Sequence, residues 1–395
     1  MSPSRTSTNE ATARARLTAD LRNGLDAGRF ASDAAFESMY RRVAAYQHRF
    51  GLGMRLAHAT DALPVELFKY RRIATTNRLT SSGGYFLSSG TSRGVERRAR
   101  HEFADFGLYE AALSRGFAQA VLSHDHLDSA WTSIAPRWNF LVPTGPRWWN
   151  DPHSSLAHMG RTLWHSLATN AYATLHCIDP AAPAGEFRRQ LRRLGSANDR
   201  VTLGFGTGFG FLHLSDRLAH TKLPLSLHPD SRVMETGGYK GHGRELVPAA
   251  LHAELATRFK LKPAQVFAEY GMTELSSQAY QIPTGTPAPY PHLPVYWPAE
   301  TLRIRVVDAN GRPCAAGEVG LIEATDLMNL TSACRVLLGD LGVIVPARRG
   351  RHQPQGEFAR RPFQVLGRAQ RLAARGCGLA DDLRLLTALN PTAQA

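Results

Sequence analysis

Between residues 85 and 267 the chain switches repeatedly between short apolar runs and longer helix-like stretches. The runs at 85–87, 140–142, 201–205 and 266–267 are too short for buried helices and suit buried strands. The stretches at 104–122, 155–175 and 247–259 carry apolar residues at helical spacing. Parallel strands need a crossover between them, and a helix is the usual one, so this alternation predicts an α/β fold with a largely parallel sheet. Near residue 302 the texture changes. Arg303-Ile304-Arg305-Val306-Val307 and Val319-Gly320-Leu321-Ile322 read as antiparallel strands around a Gly/Pro turn at 310–317, giving a small β-rich section over 300–345. Residues 346–361 are rich in Arg, Gly and Gln and read as a loop.

The N-terminal part is different again. Residues 1–14 are polar and are expected to be disordered. From Leu17 to Phe50 the apolar positions favour helices, with Phe36, Met39, Val43, Tyr46 and Phe50 on one stripe. These shifts predict an N-terminal disordered or helical segment over 1–55, a main domain over 56–365 and a short C-terminal segment over 366–395. A chain of 395 residues is long enough for such a division.

The formal net charge is +14, and arginine supplies nearly all of it, the lysines being Lys69, Lys222, Lys240, Lys260 and Lys262. The arginines are spread, with only small clusters at 97–100, 348–351 and 360–361. That pattern reads as solvated faces, so no nucleic-acid partner is expected, although the field favours phosphate-bearing substrates. No apolar run reaches membrane-spanning length. Residues 1–30 carry no secretory h-region. Their Arg, Ser and Thr content is transit-like, but Glu10 and Asp20 oppose that reading, and a cytoplasmic location is expected. The cysteines Cys177, Cys314, Cys334 and Cys377 form no CxxC and no zinc spacing, which fits reduced thiols.

Three stretches carry chemistry. In the first, an apolar run ends in Ser88, Ser89, Gly90, Thr91, Ser92, Arg93 and Gly94. Small residues let backbone N–H groups surround phosphate oxygens, although a plain Ser/Gly turn has the same composition. The GKS/T element of P-loop NTPases is missing. In the second, Tyr270, Gly271, Met272, Thr273 and Glu274 follow a short strand. Thr273 suits a phosphate oxygen and Glu274 suits Mg²⁺, a hard ion that takes carboxylate oxygens. A helix start capped by Thr273 is the alternative. The third is VLLGDLGVIV, where Asp340 suits two ribose hydroxyls or a hairpin turn.

Taken in order, the Ser/Gly loop, YGMTE, GDLG and the LGR ending at Arg368 resemble the adenylate-forming superfamily. More narrowly, LPVELFK (63–69), SSLAHM (154–159), METGGYKGHGRE (234–245), YGMTELSSQAY (270–280) and RGCGL (375–379) resemble the acyl-protein synthetase family, the fatty-acid-activating component of bacterial bioluminescence and its relatives. The resemblance implies an α/β fold of the adenylate-forming type, with a large domain of layered mixed sheets and helices plus a reduced C-terminal element. It implies an enzyme that uses ATP and Mg²⁺ to convert a carboxylic acid into an acyl-AMP. The acyl group then passes to the enzyme's own cysteine and on to a partner such as an acyl reductase.

Carried over by position, Ser88 to Gly94 hold the phosphates, Tyr270 lies against adenine, Thr273 touches the α-phosphate and Glu274 binds Mg²⁺. Asp340 and Arg368 hold the ribose. Cys377, between two glycines and beside Arg375, is the acyl acceptor; an incidental turn residue is the alternative. Ser154 and His158 are candidates for the acyl site, His158 being equally suited to a core. The chain departs from the superfamily pattern at Arg93, where a second glycine is usual, and at Gln370, where an aspartate is usual. No lysine follows Lys262, so Lys240 and Arg244 are the candidates for the cation that steadies the α-phosphate. Two alternatives stand beside this reading: a carboxylate–CoA ligase of the phenylacetate type, and a decayed scaffold that only binds a partner.

Overall fold

The computed structural model describes residues 5–51, 62–75, 82–88, 98–122, 137–170, 172–197, 199–237, 246–281, 288–347 and 355–369. Among the described residues its α-helices, in chain order, are Arg5–Asp26 (α1), Asp33–Phe50 (α2), Leu67–Tyr70 (α3), Gly107–Phe117 (α4), Pro146–Trp149 (α5), Ser155–Asn170 (α6), Ala184–Gly195 (α7), Gly208–Thr221 (α8) and Pro248–Phe259 (α9). The strands are Leu63–Pro64 (β1), Gly84–Leu87 (β2), Arg100–Phe103 (β3), Arg137–Val142 (β4), Tyr172–Cys177 (β5), Val201–Thr207 (β6), Arg232–Thr236 (β7), Val266–Tyr270 (β8), Ala279–Gln281 (β9), Tyr296–Pro298 (β10), Leu302–Val307 (β11), Gly320–Asp326 (β12), Arg335–Ile344 (β13) and Phe363–Arg368 (β14). They fall into two compact units: Met1–Ala112 with Met272–Gln278 and Thr284–Ala395, and Leu113–Gly271 with Ala279–Pro283.

In the first unit β11, β12, β13, β14 and β10 lie side by side in that order, and β1 runs parallel to β13. The β11–β12, β12–β13 and β13–β14 pairs are all antiparallel. β2 and β3 form a separate antiparallel ribbon. The predicted stripe on α2 is buried at Phe36, Met39, Val43 and Tyr46, and it packs with Leu17, Leu21 and Leu25 of α1 and with Leu327, Met328 and Phe358. The expectation that residues 1–14 are disordered is corrected: α1 begins at Arg5. Its polar sequence has helix formers at most positions, and Leu17, Leu21 and Leu25 supply the i, i+4 stripe that anchors it.

In the second unit β5, β4, β6, β7 and β8 are parallel neighbours in that order, and β9 lies beside β8, antiparallel to it. Successive side chains on a strand face opposite ways. Leu141 and Val233 accordingly pack with α7, α8 and α9, while Phe140 and Phe205 meet Trp149 of α5 and Gly160 of α6. Both faces are therefore covered, as a parallel sheet requires. The predicted helix over 155–175 is too long. It stops at Asn170, and Tyr172–Cys177 is β5, whose Tyr, Thr and Leu suit a pleated surface.

Candidate active site

Ser88 follows directly on β2 and ties the base of the expected phosphate loop. Its N–H donates to the Ala99 carbonyl at 2.9 Å, and the Ala99 N–H donates to Ser88 Oγ at 2.9 Å. The Arg98 guanidinium donates to the carbonyls of Leu87 and Ser88. Ser89, Gly90, Thr91, Ser92, Arg93 and Gly94 lie outside the described residues, as do Lys240, Arg244 and Cys377.

Tyr270 ends β8, half-buried and opposite Ala279, and Gly271 is exposed; both belong to the second unit. Met272, Thr273 and Glu274 continue the chain into the first. There the turn is fixed by its backbone. The Leu275 N–H donates to the Met272 carbonyl at 3.1 Å. His101 on β3 is buried, and burial pushes its imidazole down to about 4, so it is neutral and its Nδ1–H donates to the Thr273 carbonyl at 2.8 Å. The Glu274 carbonyl accepts from Asn329 Nδ2 at 2.9 Å. No helix follows Thr273, which removes the helix-start alternative.

The Glu274 side chain is 5% exposed. Burial is the largest influence on it and pushes its carboxyl up to about 7; its own backbone N–H, Arg368 and Lys69 pull it down and Glu66 pushes it up. Among the described residues no lysine or arginine is in ion-pair contact with it. Lys69 is instead paired with Glu66 at 2.8 Å along α3. Asp340 and Arg368 are cross-strand neighbours on β13 and β14, with Arg368 Nε 3.0 Å from Asp340 Oδ1. The first unit thus brings Glu274, Asp340 and Arg368 into one electrostatic neighbourhood, though they are far apart in the sequence.

Among the described residues no group of three or more His, Cys, Asp or Glu is assembled for a metal. Mg²⁺ that travels with a nucleotide needs less, because phosphates and water fill most of its shell and one or two carboxylates complete it. A buried carboxyl with no ion-pair contact among the described residues fits that demand, and Glu274 is such a group.

Sequence reasoning missed Asp326, Asn329 and His101, which hold the turn. Asp326 ends β12 and reads as an ordinary strand terminus; only its position in the fold reveals what it binds. Lys69 stood in a quoted motif and was open to recognition. Burial pushes the thiols of Cys177 and Cys314 up to about 11 and that of Cys334 up to about 12, so these three stay protonated and unreactive at neutral pH.

The solved structure of 2-hydroxyisobutyryl-CoA ligase in complex with 2-HIB-AMP and CoA aligns with 85% of this chain and 68% of its own, at a TM-score of 0.52 and 15% identity. The same ligase in the postadenylation state with R3-HIB-AMP aligns over the same shares at 0.50 and 15%. At that identity the likeness speaks to fold alone, and the fold is that of the adenylate-forming enzymes. No curated protein matches the chain in sequence. The family described as acyl-protein synthetase, LuxE, matches residues 163–385. That is more than half of the chain, and the chain belongs to this family. Among the described residues no helix is long and apolar enough to cross a membrane.

Proposed function

We propose that the chain activates a carboxylic acid with ATP, holds the acyl group on Cys377 and passes it to an acyl-accepting protein such as a reductase. The observation that carries this reading is the family match over 163–385, a span that contains Tyr270, Thr273, Glu274, Asp340, Arg368 and Cys377. In this reading residues 56–365 adenylate, residues 366–395 carry the acceptor thiol, and the enzyme works in the cytoplasm on a fatty acid.

The chemistry is a two-step transfer. A carboxylate oxygen of the acid attacks the α-phosphorus of ATP, the P–O bond to the β-phosphate breaks, and pyrophosphate leaves with the electron pair. The Cys377 thiolate then attacks the acyl carbon, the C–O bond to AMP breaks, and a thioester forms as AMP leaves. Bound with the nucleotide, Mg²⁺ would neutralise charge on the phosphate oxygens. Glu274 would hold the ion, Thr273 would donate to the α-phosphate, and Asp340, oriented by Arg368, would accept from the ribose hydroxyls. Ser88 to Gly94 would surround the outer phosphates, Tyr270 would stack on the base, and Lys240 or Arg244 would offset charge growing at the α-phosphate.

The test is intact-protein mass spectrometry after incubation with ATP, Mg²⁺ and a panel of carboxylic acids. A hydroxylamine-labile acyl adduct on wild type and not on Cys377→Ser is the expected result, and it identifies the acid. Pyrophosphate release that requires CoA, without an adduct, would move the protein to the CoA ligases. Neither product from any acid would sink the reading.

A further inference from the structure

The turn that carries Thr273 and Glu274 is clamped from one place. Ser276 N–H and Ser277 N–H both donate to Asp326 Oδ2 at 2.7 Å. Ser277 Oγ–H donates to Asp326 Oδ1 at 2.7 Å, and the Met328 N–H donates to the same oxygen at 3.0 Å. Asn329, one helical turn's length further on, donates to the Glu274 carbonyl at 2.9 Å and accepts from Ser276 Oγ. Asp326 is fully buried. A carboxylate so placed is costly unless paired. Among the described residues no cation contacts it, and its compensation is the converging donors of the turn and of Met328.

Glu323 makes the contrast. It stands three residues earlier on the same strand, on the opposite face, and is also buried. Its carboxylate is spent on Arg305 at 2.9 Å and Arg335 at 2.8 Å. One strand therefore holds two buried carboxylates, one tied to arginines and the other to the segment that presents Glu274. A buried amide would offer the turn one accepting oxygen, where a carboxylate offers two. A carboxylate accepts several bonds at once and fixes the direction of the chain as well as its position.

We propose that Asp326, with Asn329, is the positioning residue that holds Glu274 where a nucleotide-bound Mg²⁺ meets it. The inference rests on the adenylating reading above. Residues that orient a metal ligand without touching the metal carry a large part of the affinity, because a misaimed ligand loses its bond.

The test uses the full chain and compares wild type with Asp326→Asn and Glu323→Gln. ATP binding is measured by calorimetry with Mg²⁺ and with EDTA, in the absence of any acid, and folding is followed by thermal denaturation. Asn at 326 keeps one accepting oxygen for the Ser276 and Ser277 N–H groups, but its NH2 faces two donors, the Ser277 hydroxyl and the Met328 N–H, so the clamp is broken on that side. The expected result is that Asp326→Asn loses the Mg²⁺-dependent gain in ATP affinity by roughly tenfold or more, while binding in EDTA is unchanged. Glu323→Gln is expected to melt earlier and keep the gain. Ser277→Ala removes one bond from the clamp and serves where Asp326→Asn does not fold; a smaller loss of the same gain supports the proposal, and a full gain overturns it. Retention of the gain in Asp326→Asn, or equal loss in both carboxylate variants, also overturns it. Wild type that binds ATP without any Mg²⁺ gain refutes the role of Glu274 itself, and wild type that does not bind ATP refutes the adenylating reading.

Discussion

Asp340 and Arg368 face each other across β13 and β14, with the buried carboxylate 3.0 Å from a guanidinium that is 62% exposed. Such asymmetry is informative. An ion pair with one partner in water adds on the order of 1 kcal/mol or less to stability. Arg368→Ala is therefore expected to leave the melting temperature almost unchanged. It is also expected to weaken ATP binding by about tenfold, since a charge-assisted bond worth some 1.5 kcal/mol loses its donor and Asp340 its orientation. Calorimetry against ATP and a denaturation curve check both halves. A clearly lowered melting temperature with affinity intact would mean that the pair is structural.

Arg303 leads to the opposite expectation. It is 1% exposed, and its guanidinium donates to the carbonyls of Phe358 at 2.7 Å, Phe30 at 2.8 Å, Glu300 at 2.9 Å and Leu302 at 3.1 Å. It also reaches Asp33 at 3.1 Å and lies over the Phe36 ring at 4.2 Å. One side chain thus joins the α1–α2 corner to β11. Arg303→Met strands four carbonyls and is expected to cost about 3–5 kcal/mol in urea denaturation. Arg303→Lys is expected to recover little, because a single ammonium lacks the planar fork that reaches these acceptors together.

What the sequence disclosed follows from the range of the interactions. The α2 stripe and the β6 run are periodic in the chain, so local pattern suffices. Asp340 and Arg368 were singled out because each sits in a short recognisable stretch, but their pairing across β13 and β14 was not foreseen. The Asp326 clamp was invisible: its partners lie some fifty residues away, and nothing in Asp-Leu-Met-Asn specifies what a buried carboxylate meets. β5 was absorbed into a helix because Ser155–Asn170 and Tyr172–Cys177 are joined by a single residue, leaving no loop between them to mark the boundary. The first turns of α1 were missed because its anchoring leucines begin only at Leu17.

Gly160 tests the packing of the second unit. It sits inside α6, and a Cβ there would lie 2.8 Å from Phe205 and 2.9 Å from Trp149. Both rings are buried, at 0% and 6% exposure. Two effects oppose each other in Gly160→Ala. Helix propensity favours alanine by about 1 kcal/mol, whereas overpacking against rings that cannot retreat costs about 1–3 kcal/mol. The second is expected to win, with a lowered melting temperature for a substitution that would stabilise an exposed helix. A raised melting temperature would show that α6 can move away from β6.

Glu274 ties stability to pH in a direction opposite to that of most carboxylates. Burial, the largest influence, lifts it from an ordinary value of 4.5 to about 7 in the folded chain. Between those values the folded state holds a proton that the unfolded state has released. Stability therefore falls as pH rises through this window and levels off above about 7. At about 1.4 kcal/mol for each unit of difference, the effect is on the order of 3 kcal/mol. Glu274→Gln keeps the shape without the titration, so it is expected to match wild type near pH 4.5 and exceed it above pH 7. The difference between the two urea-denaturation series, taken from pH 5 to 8, isolates this residue from other buried acids such as Glu269. Metal binding needs the carboxylate form, so Mg²⁺ with ATP is expected to displace a proton below pH 7, visible as a buffer-dependent heat, and to do so in wild type alone. Parallel stability curves for wild type and Glu274→Gln would mean that the carboxyl is solvated in the folded chain, and the case for Glu274 as a metal ligand would lose its physical basis.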